Sequence, residues 1–403
     1  MANQFAINLA FYMLMPYLAA HLAGGLGLAA WAVGLVLGVR NLSQQGMFLI
    51  GGTLADRFGY KAPIMAGCLL RTGGFALLGW VDQLPALIVA SAATGFAGAL
   101  FNPAVRAYLA AEAGERRVEA FATFNVYYQA GMLLGPPVGL VLLAADFRLV
   151  CTVAALVFAA LTLLQWRSLP ARGGGGSVGD GPAGLPAQWR TVLANRPFLL
   201  FSVAMIGSYV LTFQVYLALP LAAADALGPA GAKATGALFV ISAAVAVVGQ
   251  LRLTGWATRR WSPHGALVRG LAVMGLAFLP LALVPAGDGR MTRLGVLAAL
   301  VAAVVGLAVG SAVVYPFEMD TVVALSGNRL VATHYGLYNT VSGLGITLGN
   351  LATGALWDVA EREHALWLPW TALTGTGLAC AGAVFALARS GRLEAPVPRP
   401  VPV

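Results

Sequence analysis

Residues 51 to 61 read Gly-Gly-Thr-Leu-Ala-Asp-Arg-Phe-Gly-Tyr-Lys. Asp56, Arg57 and Lys61 are clustered here, whereas the runs on either side, 29 to 54 and 62 to 81, are long and apolar. A bilayer core of about 30 Å is crossed by about 20 apolar residues of helix. The stretch therefore reads as a short charged turn between two membrane-crossing helices. Its small glycines allow close helix approach. Asp56 is suited to sit against a helix N-terminus, where the dipole would hold it.

The pattern of apolar run and short break recurs along the chain. Twelve runs are found, at 3 to 23, 29 to 54, 62 to 81, 85 to 109, 118 to 143, 147 to 166, 197 to 223, 232 to 257, 264 to 285, 293 to 325, 329 to 357 and 366 to 389. They are too long for barrel strands, which predicts an all-α membrane protein. Residues 167 to 196 contain GGGGSVGDGPAGLPAQ, read as a flexible tether that buries nothing. The expected organisation is a six-helix bundle over 1–166, a cytoplasmic linker over 167–196, a second six-helix bundle over 197–389 and a Pro-rich tail over 390–403. Gly67 to Arg71 (GCLLR) in the third run and Gly265 to Arg269 (GALVR) in the ninth hint that the halves are repeats.

Composition agrees. Of 403 residues, 59% are hydrophobic and 10% charged, against about 25% charged in soluble domains, so lipid must cover most of the surface. The net charge of +9 is spread between the runs, which argues against a nucleic-acid partner. Arg57, Lys61, Arg116, Arg117, Arg167, Arg172, Arg190, Arg259 and Arg260 fall on the even loops, while Arg148, Lys233, Arg290, Arg293 and Arg362 fall on the odd ones. Positive loops stay inside, so both termini are expected in the cytoplasm of a cell with this protein in its inner membrane. The first run is expected to be a span rather than a cleaved leader. Cys68, Cys151 and Cys380 lack the paired spacing of metal or redox sites and are expected as buried thiols. A phosphate-cradling Gly loop with Lys, a nucleophile elbow and a metal-ligand cluster are all missing from the sequence, which disfavours an enzyme and implies no cofactor.

Gly52, Leu54, Asp56, Arg57, Gly59 and Lys61 together resemble the loop signature of the major facilitator superfamily, with Tyr60 standing at one of its basic positions. Leu9, Ala10 and Pro16 are similar to that family's first-helix motif. In the fifth helix, Gly131, Gly135, Pro136 and Gly139 resemble the motif of its exporting, antiporter branch. Glycines at intervals of four make a flat packing face, and Pro136 removes a backbone hydrogen bond and permits a bend. In the fourth helix Ser91 stands where the family has a buried Arg, with Gly95 and Gly98 retained. The segments RNLSQQG, ADRFG, LFNPAVRA and DFRLVC resemble twelve-helix bacterial multidrug efflux proteins of the drug:proton antiporter type. The resemblance implies a monomeric, proton-coupled exporter of small amphipathic molecules working by alternating access. Proton-linked uptake of an organic anion is the alternative within transport, and an intramembrane enzyme or lipid-handling scaffold the one outside it.

Polar groups inside membrane helices are costly and are candidates for function. Arg40 and Gln44 lie one turn apart, about 24 Å along the helix from Asp56, which puts Arg40 near mid-membrane, either paired with an acid on another helix or facing the substrate. Asn8, Tyr12, Asn125, Gln129, Tyr338 and Asn339 are further cavity candidates. Tyr209, Phe213 and Tyr216 form an aromatic stripe that clamps a flat substrate or simply packs. Glu318, Asp320 and His334 are the candidates for proton coupling.

Overall fold

The computed structural model describes residues 2–170, 185–284 and 289–393. Helices account for nearly all of them, and no strand occurs among the described residues. In chain order they are α1 (Ala2–Ala20), α2 (Ala30–Gly46), α3 (Phe48–Phe58), α4 (Lys61–Trp80), α5 (Leu84–Ala113), α6 (Arg117–Leu143) and α7 (Phe147–Ser168). There follow α8 (Leu185–Ala194), α9 (Arg196–Ala204), α10 (Ile206–Phe213), α11 (Ala218–Leu227), α12 (Gly231–Arg260), α13 (Pro263–Leu276) and α14 (Leu279–Leu283). The last three are α15 (Arg290–Ser326), α16 (Val331–Arg362) and α17 (Leu368–Arg389).

Eight described segments are long and apolar enough to cross a membrane. One of them, Leu84–Leu143, is 60 residues long. At 1.5 Å per residue it is about 90 Å of helix, enough for two crossings, and Gly114 with φ +54° marks the division. Large apolar side chains point outward along these segments, among them Leu140, Val141, Leu156, Leu163 and Leu283. In water so much apolar surface would drive association; against acyl chains it is at home.

Several expected runs hold in extent but not in continuity. The run 29 to 54 is interrupted at Met47 between α2 and α3, and 197 to 223 is divided at Met205 and again by a 3-10 turn over Gln214–Tyr216. The run 264 to 285 breaks at Ala277 and Phe278, just before Pro280 opens α14. At Met47 the cause is tertiary: Thr340 donates to the Gln45 carbonyl at 3.3 Å, and Gly336 packs directly on the Phe48 carbonyl.

Residues 171–184 of the expected tether and 394–403 of the tail lie outside the described residues. The tether's C-terminal end differs from expectation, because Leu185–Ala194 forms α8. Gln188 and Val192 are buried, and Trp189 Nε1 donates to Thr53 Oγ1 at 2.9 Å, so this part docks on α3.

By internal contacts the chain divides into two compact units. The first comprises Met1–Glu115, Tyr127–Asn195 and Asn328–Thr340; the second comprises Arg116–Val126, Arg196–Gly327 and Val341–Val403. Phe75, Phe158, Leu14 and Ile7 centre the core of the first, and Phe198, Phe201, Phe278 and Phe317 that of the second.

Candidate functional site: a capped helix, a glycine face and two arginines at one ring

Gly59, at φ +81°, ends α3 in a backbone conformation that side chains resist. One turn earlier, Asp56 meets the start of α16. Its Oδ1 accepts from the Ala332 amide at 3.1 Å, and its Oδ2 accepts from the Thr333 amide at 2.7 Å and the Thr333 hydroxyl at 2.6 Å. Two of the four orphan amides of a helix N-terminus are thereby satisfied by a carboxylate placed at the positive end of the dipole. Burial pushes the Asp56 carboxyl up to about 6, against the opposing pull of the Thr333 and Ala332 hydrogen bonds. Gly52 makes the contact possible, since a Cβ there would run into the Ala332 carbonyl oxygen. His334, the next residue of α16, places Nδ1 2.8 Å from the Leu330 carbonyl and Nε2 3.3 Å from Asn195 Nδ2.

The other charges of the turn do different work. Arg57 is exposed, with its guanidinium over Phe58. Lys61 Nζ donates to the Trp166 and Leu169 carbonyls, each at 2.7 Å, and so caps the C-terminal end of α7.

On α6, Gly131, Gly135 and Gly139 face α1. A Cβ at these positions would strike Phe5 O, Tyr12 and Met13 O respectively. The helix runs unbroken through Pro136, whose carbonyl accepts from the Tyr17 hydroxyl at 2.7 Å. Asn8 donates to Gln4 O within α1, and Tyr12 and Tyr128 bring their hydroxyls to 3.2 Å.

Arg40 on α2 and Arg71 on α4 both approach the Phe11 ring. Their guanidinium carbons lie 5.4 and 4.8 Å from the Phe11 centroid, so at most about 10 Å separates them. Arg71 also lies 5.4 Å from the Phe158 ring and is only 6% exposed. No acid pairs with either arginine among the described residues, so the acid partner expected as one alternative for Arg40 is not found among them. Arg40 Nη2 donates to Asn41 Oδ1 at 2.6 Å, while the Nε atoms of both arginines are buried without a partner. Gln44 and Arg71 converge on the space above Gly98. An arginine at the centre of a membrane helix costs at least about 2.5 kcal/mol. Each cation–π contact returns about 0.5–2 kcal/mol, and the two like charges repel by about 2 kcal/mol at an effective dielectric of 20. The charges are thus incompletely compensated by the protein.

In the second unit, Asn125 Nδ2 donates to Gln250 Oε1 at 2.8 Å, and Gln250 Nε2 donates to the Ala312 carbonyl at 2.7 Å and Thr254 Oγ1 at 3.0 Å. Arg117 and Asp320 form an ion pair at 2.6 Å, and Glu318 is buried one turn's fraction away on α15. Tyr216 lies between Phe213 and Phe239 in tilted ring contacts, with centroids 5.6 and 5.3 Å apart.

A family profile described as Major Facilitator Superfamily matches residues 1–350. The chain belongs to this superfamily. Among major facilitator relatives, an MFS-type transporter of Mycobacterium tuberculosis (strain H37Rv) is 55% identical over 381 residues, 94% of this chain and 90% of that protein. The multidrug resistance protein MdtH of Yersinia pestis (strain Pestoides F) is 29% identical over 376 residues, 92% and 89% of the two chains. The crystal structure of the human organic anion transporter MFSD10 (TETRAN) superposes with a TM-score of 0.64 over 95% of this chain and 97% of that one; at 16% identity the likeness is of fold. The protein is accordingly a multi-pass membrane transporter of the major facilitator fold and not an enzyme.

Within the major facilitator frame, the candidates divide. Gly52 and Asp56 meet the start of α16 at one contact, Gly59 ends the helix that carries them, and Arg57 and Lys61 do not join it. Tyr12, Arg40 and Gln44 lie in the first unit with Arg71, whereas Asn125 and the aromatic stripe belong to the second. Gln129, in the first unit, holds a buried Oε1 without a partner. Tyr338 is fully buried, and Asn339 Oδ1 accepts from Arg106 Nη1 at 2.7 Å. The three proton-coupling candidates do not meet: Glu318 and Asp320 are in the second unit and His334 in the first, and Asp320 is ion-paired. Arg71, Arg106 and Gln250 were not among the expected site residues. The signal for Arg71 was its place in the GCLLR repeat, and its counterpart Arg269 is instead exposed over Trp261.

Proposed function

We propose that the protein exports small amphipathic or drug-like molecules across a bacterial inner membrane, by alternating access and in exchange for protons. The observation that carries this reading is the glycine face of α6 on α1, at Gly131, Gly135 and Gly139, in which the antiporter-type motif becomes direct backbone packing. The 29% identity to a multidrug resistance protein supports it. Twelve crossings in two six-helix halves, with both termini in the cytoplasm, go with this reading and with the loop charges. The Asp56 contact on α16 then serves as a latch that is made and broken in each cycle. Expression in a strain lacking its own efflux transporters tests the proposal. Resistance to some antibiotics or dyes should rise, and dye efflux should stop when a protonophore is added. Unchanged susceptibility across the panel together with unchanged dye accumulation overturns it.

Uptake of an organic anion with protons is the second reading, and the observation favouring it is the pair of uncompensated arginines near Phe11. Accumulation of a labelled carboxylate in energised cells would select it over export.

A further inference from the structure

Arg71 is nine-tenths buried in a helix interior, yet no hydrogen bond or acid reaches it among the described residues. Its surroundings are drawn from six helices. Phe11 and Tyr12 come from α1, Arg40 and Gln44 from α2, Cys68 and Phe75 from α4, Gly98 from α5, Tyr128 from α6 and Phe158 from α7. Within electrostatic reach of Arg71 are a second cation, Arg40, and the neutral groups of Cys68, Tyr12 and Tyr128. Gln44 makes no hydrogen bond among the described residues, and its amide converges with an Arg71 nitrogen at Gly98, where the missing side chain leaves room. Two turns along the same face of α5, Ser91 holds a buried hydroxyl without a partner.

We propose that Arg40 and Arg71 form the receptor for an anionic group, a carboxylate or sulfonate attached to an aromatic or apolar body, on the molecule this protein transports. The assignment rests on the reading that the protein moves small amphipathic molecules, and it names their charge. Two guanidinium groups around one aromatic ring make a site with donors in fixed forks, suited to a planar oxyanion. Phe11 and the Tyr12–Tyr128 pair supply the surface for the ring or chain that carries the anion. The Gln44 amide is a further donor. Among the described residues of the first unit no carboxylate pairs with Arg40 or Arg71, and Asp56 is engaged on α16, so the counter-charge has to come from the ligand.

The test uses the full chain in nanodiscs of neutral phosphatidylcholine, with thermal unfolding as readout and two matched probes, 2-naphthoate and its uncharged isostere 2-naphthamide. The wild type should be stabilised by naphthoate at concentrations at least tenfold below any at which naphthamide acts. Arg71→Gln should lose that preference and Arg71→Lys should keep a part of it. Gln44→Glu, which places a carboxylate beside both arginines, should unfold at a higher temperature without ligand and no longer respond to naphthoate. Equal responses to the two probes, no response of the wild type to naphthoate, an unchanged preference in Arg71→Gln, or a lowered melting temperature in Gln44→Glu each overturn the proposal. Stabilisation by phosphatidylglycerol in place of naphthoate would assign the site to a lipid phosphate and overturn it as a substrate site. Dye efflux measured separately keeps the two readings apart: failed efflux with an intact naphthoate preference removes export and leaves the anion site standing.

Discussion

Asp56 Oδ2 accepts both the amide and the hydroxyl of Thr333, at 2.7 and 2.6 Å, joining the turn after the second predicted span to the first turn of α16. Charge-assisted hydrogen bonds contribute about 1.5–3 kcal/mol each, and here the acceptor also lies on the helix dipole. Asp56→Asn removes the charge and turns one acceptor atom into a donor facing a donor. Folding and membrane insertion should survive, as judged by expression and monodispersity, while efflux falls at least tenfold. Thr333→Val, which deletes only the hydroxyl, should lose less. Normal efflux by Asp56→Asn would reduce the contact to a structural cap.

The same carboxyl makes the contact sensitive to pH. Seated on α16 its pKa is about 6, raised by burial from 3.8, so the seated form binds protons more tightly than the released form. The stabilisation of seating is full below about 3.8 and is lost as pH rises through about 6. Deuterium exchange at the Ala332 and Thr333 amides, corrected for the intrinsic pH dependence, should therefore be slower at pH 5 than at pH 7. Asp56→Asn should flatten the difference. A difference that persists in the variant would point to the neighbouring His334 instead.

Glycine packing gives a third expectation. A methyl at Gly139 would meet the Met13 carbonyl, and one at Gly52 the Ala332 carbonyl, both backbone atoms with little freedom to retreat. Overpacking of this kind costs about 1–3 kcal/mol. Gly139→Ala should lower the melting temperature in detergent, and Gly52→Ala should reduce efflux as Asp56→Asn does. Gly73→Ala is the control, because nothing lies within 4 Å of its added methyl. It should be neutral or slightly stabilising, as Ala in a helix interior usually is.

What could be read in the sequence was what local chemistry decides. Run length and the absence of charge locate the spans, and an acid in a tight glycine-flanked turn announces a helix cap. The breaks at Met47 and Ala277 escaped because both sides remain apolar; at Met47 the interruption comes from α16 crossing, not from the residues themselves. Arg71 escaped because an arginine in an apolar helix does not declare whether its neighbours are acids, lipid or aromatic rings. Only the approach of Phe11 and Phe158, from other helices, answers that. Asp320 was read as a candidate proton carrier because its partner Arg117 lies 203 residues away in the chain.

The buried amide network is the remaining case, with Asn125 and Gln250 separated by 125 residues in the chain. Gln250 is completely buried and satisfies three groups: the Asn125 amide, the Ala312 carbonyl and Thr254 Oγ1. Gln250→Leu keeps much of the volume but strands the Asn125 amide and leaves the Ala312 carbonyl with only the 3.3 Å bond from the Thr254 hydroxyl. Each buried group left unsatisfied costs about 1–3 kcal/mol, so the melting temperature should fall by several degrees. Asn125→Leu alone strands Gln250 Oε1 and should cost about as much as one such group. With both residues replaced, neither amide is left opposite a missing partner, and the double variant should be more stable than the sum of the single losses predicts, by about 0.5–3 kcal/mol of coupling. If Asn125 instead acts on the substrate, as its place among the cavity candidates suggested, Asn125→Leu would change efflux of one dye relative to another at unchanged stability. Strict additivity of the melting shifts would show that the hydrogen bond between them contributes nothing to the fold.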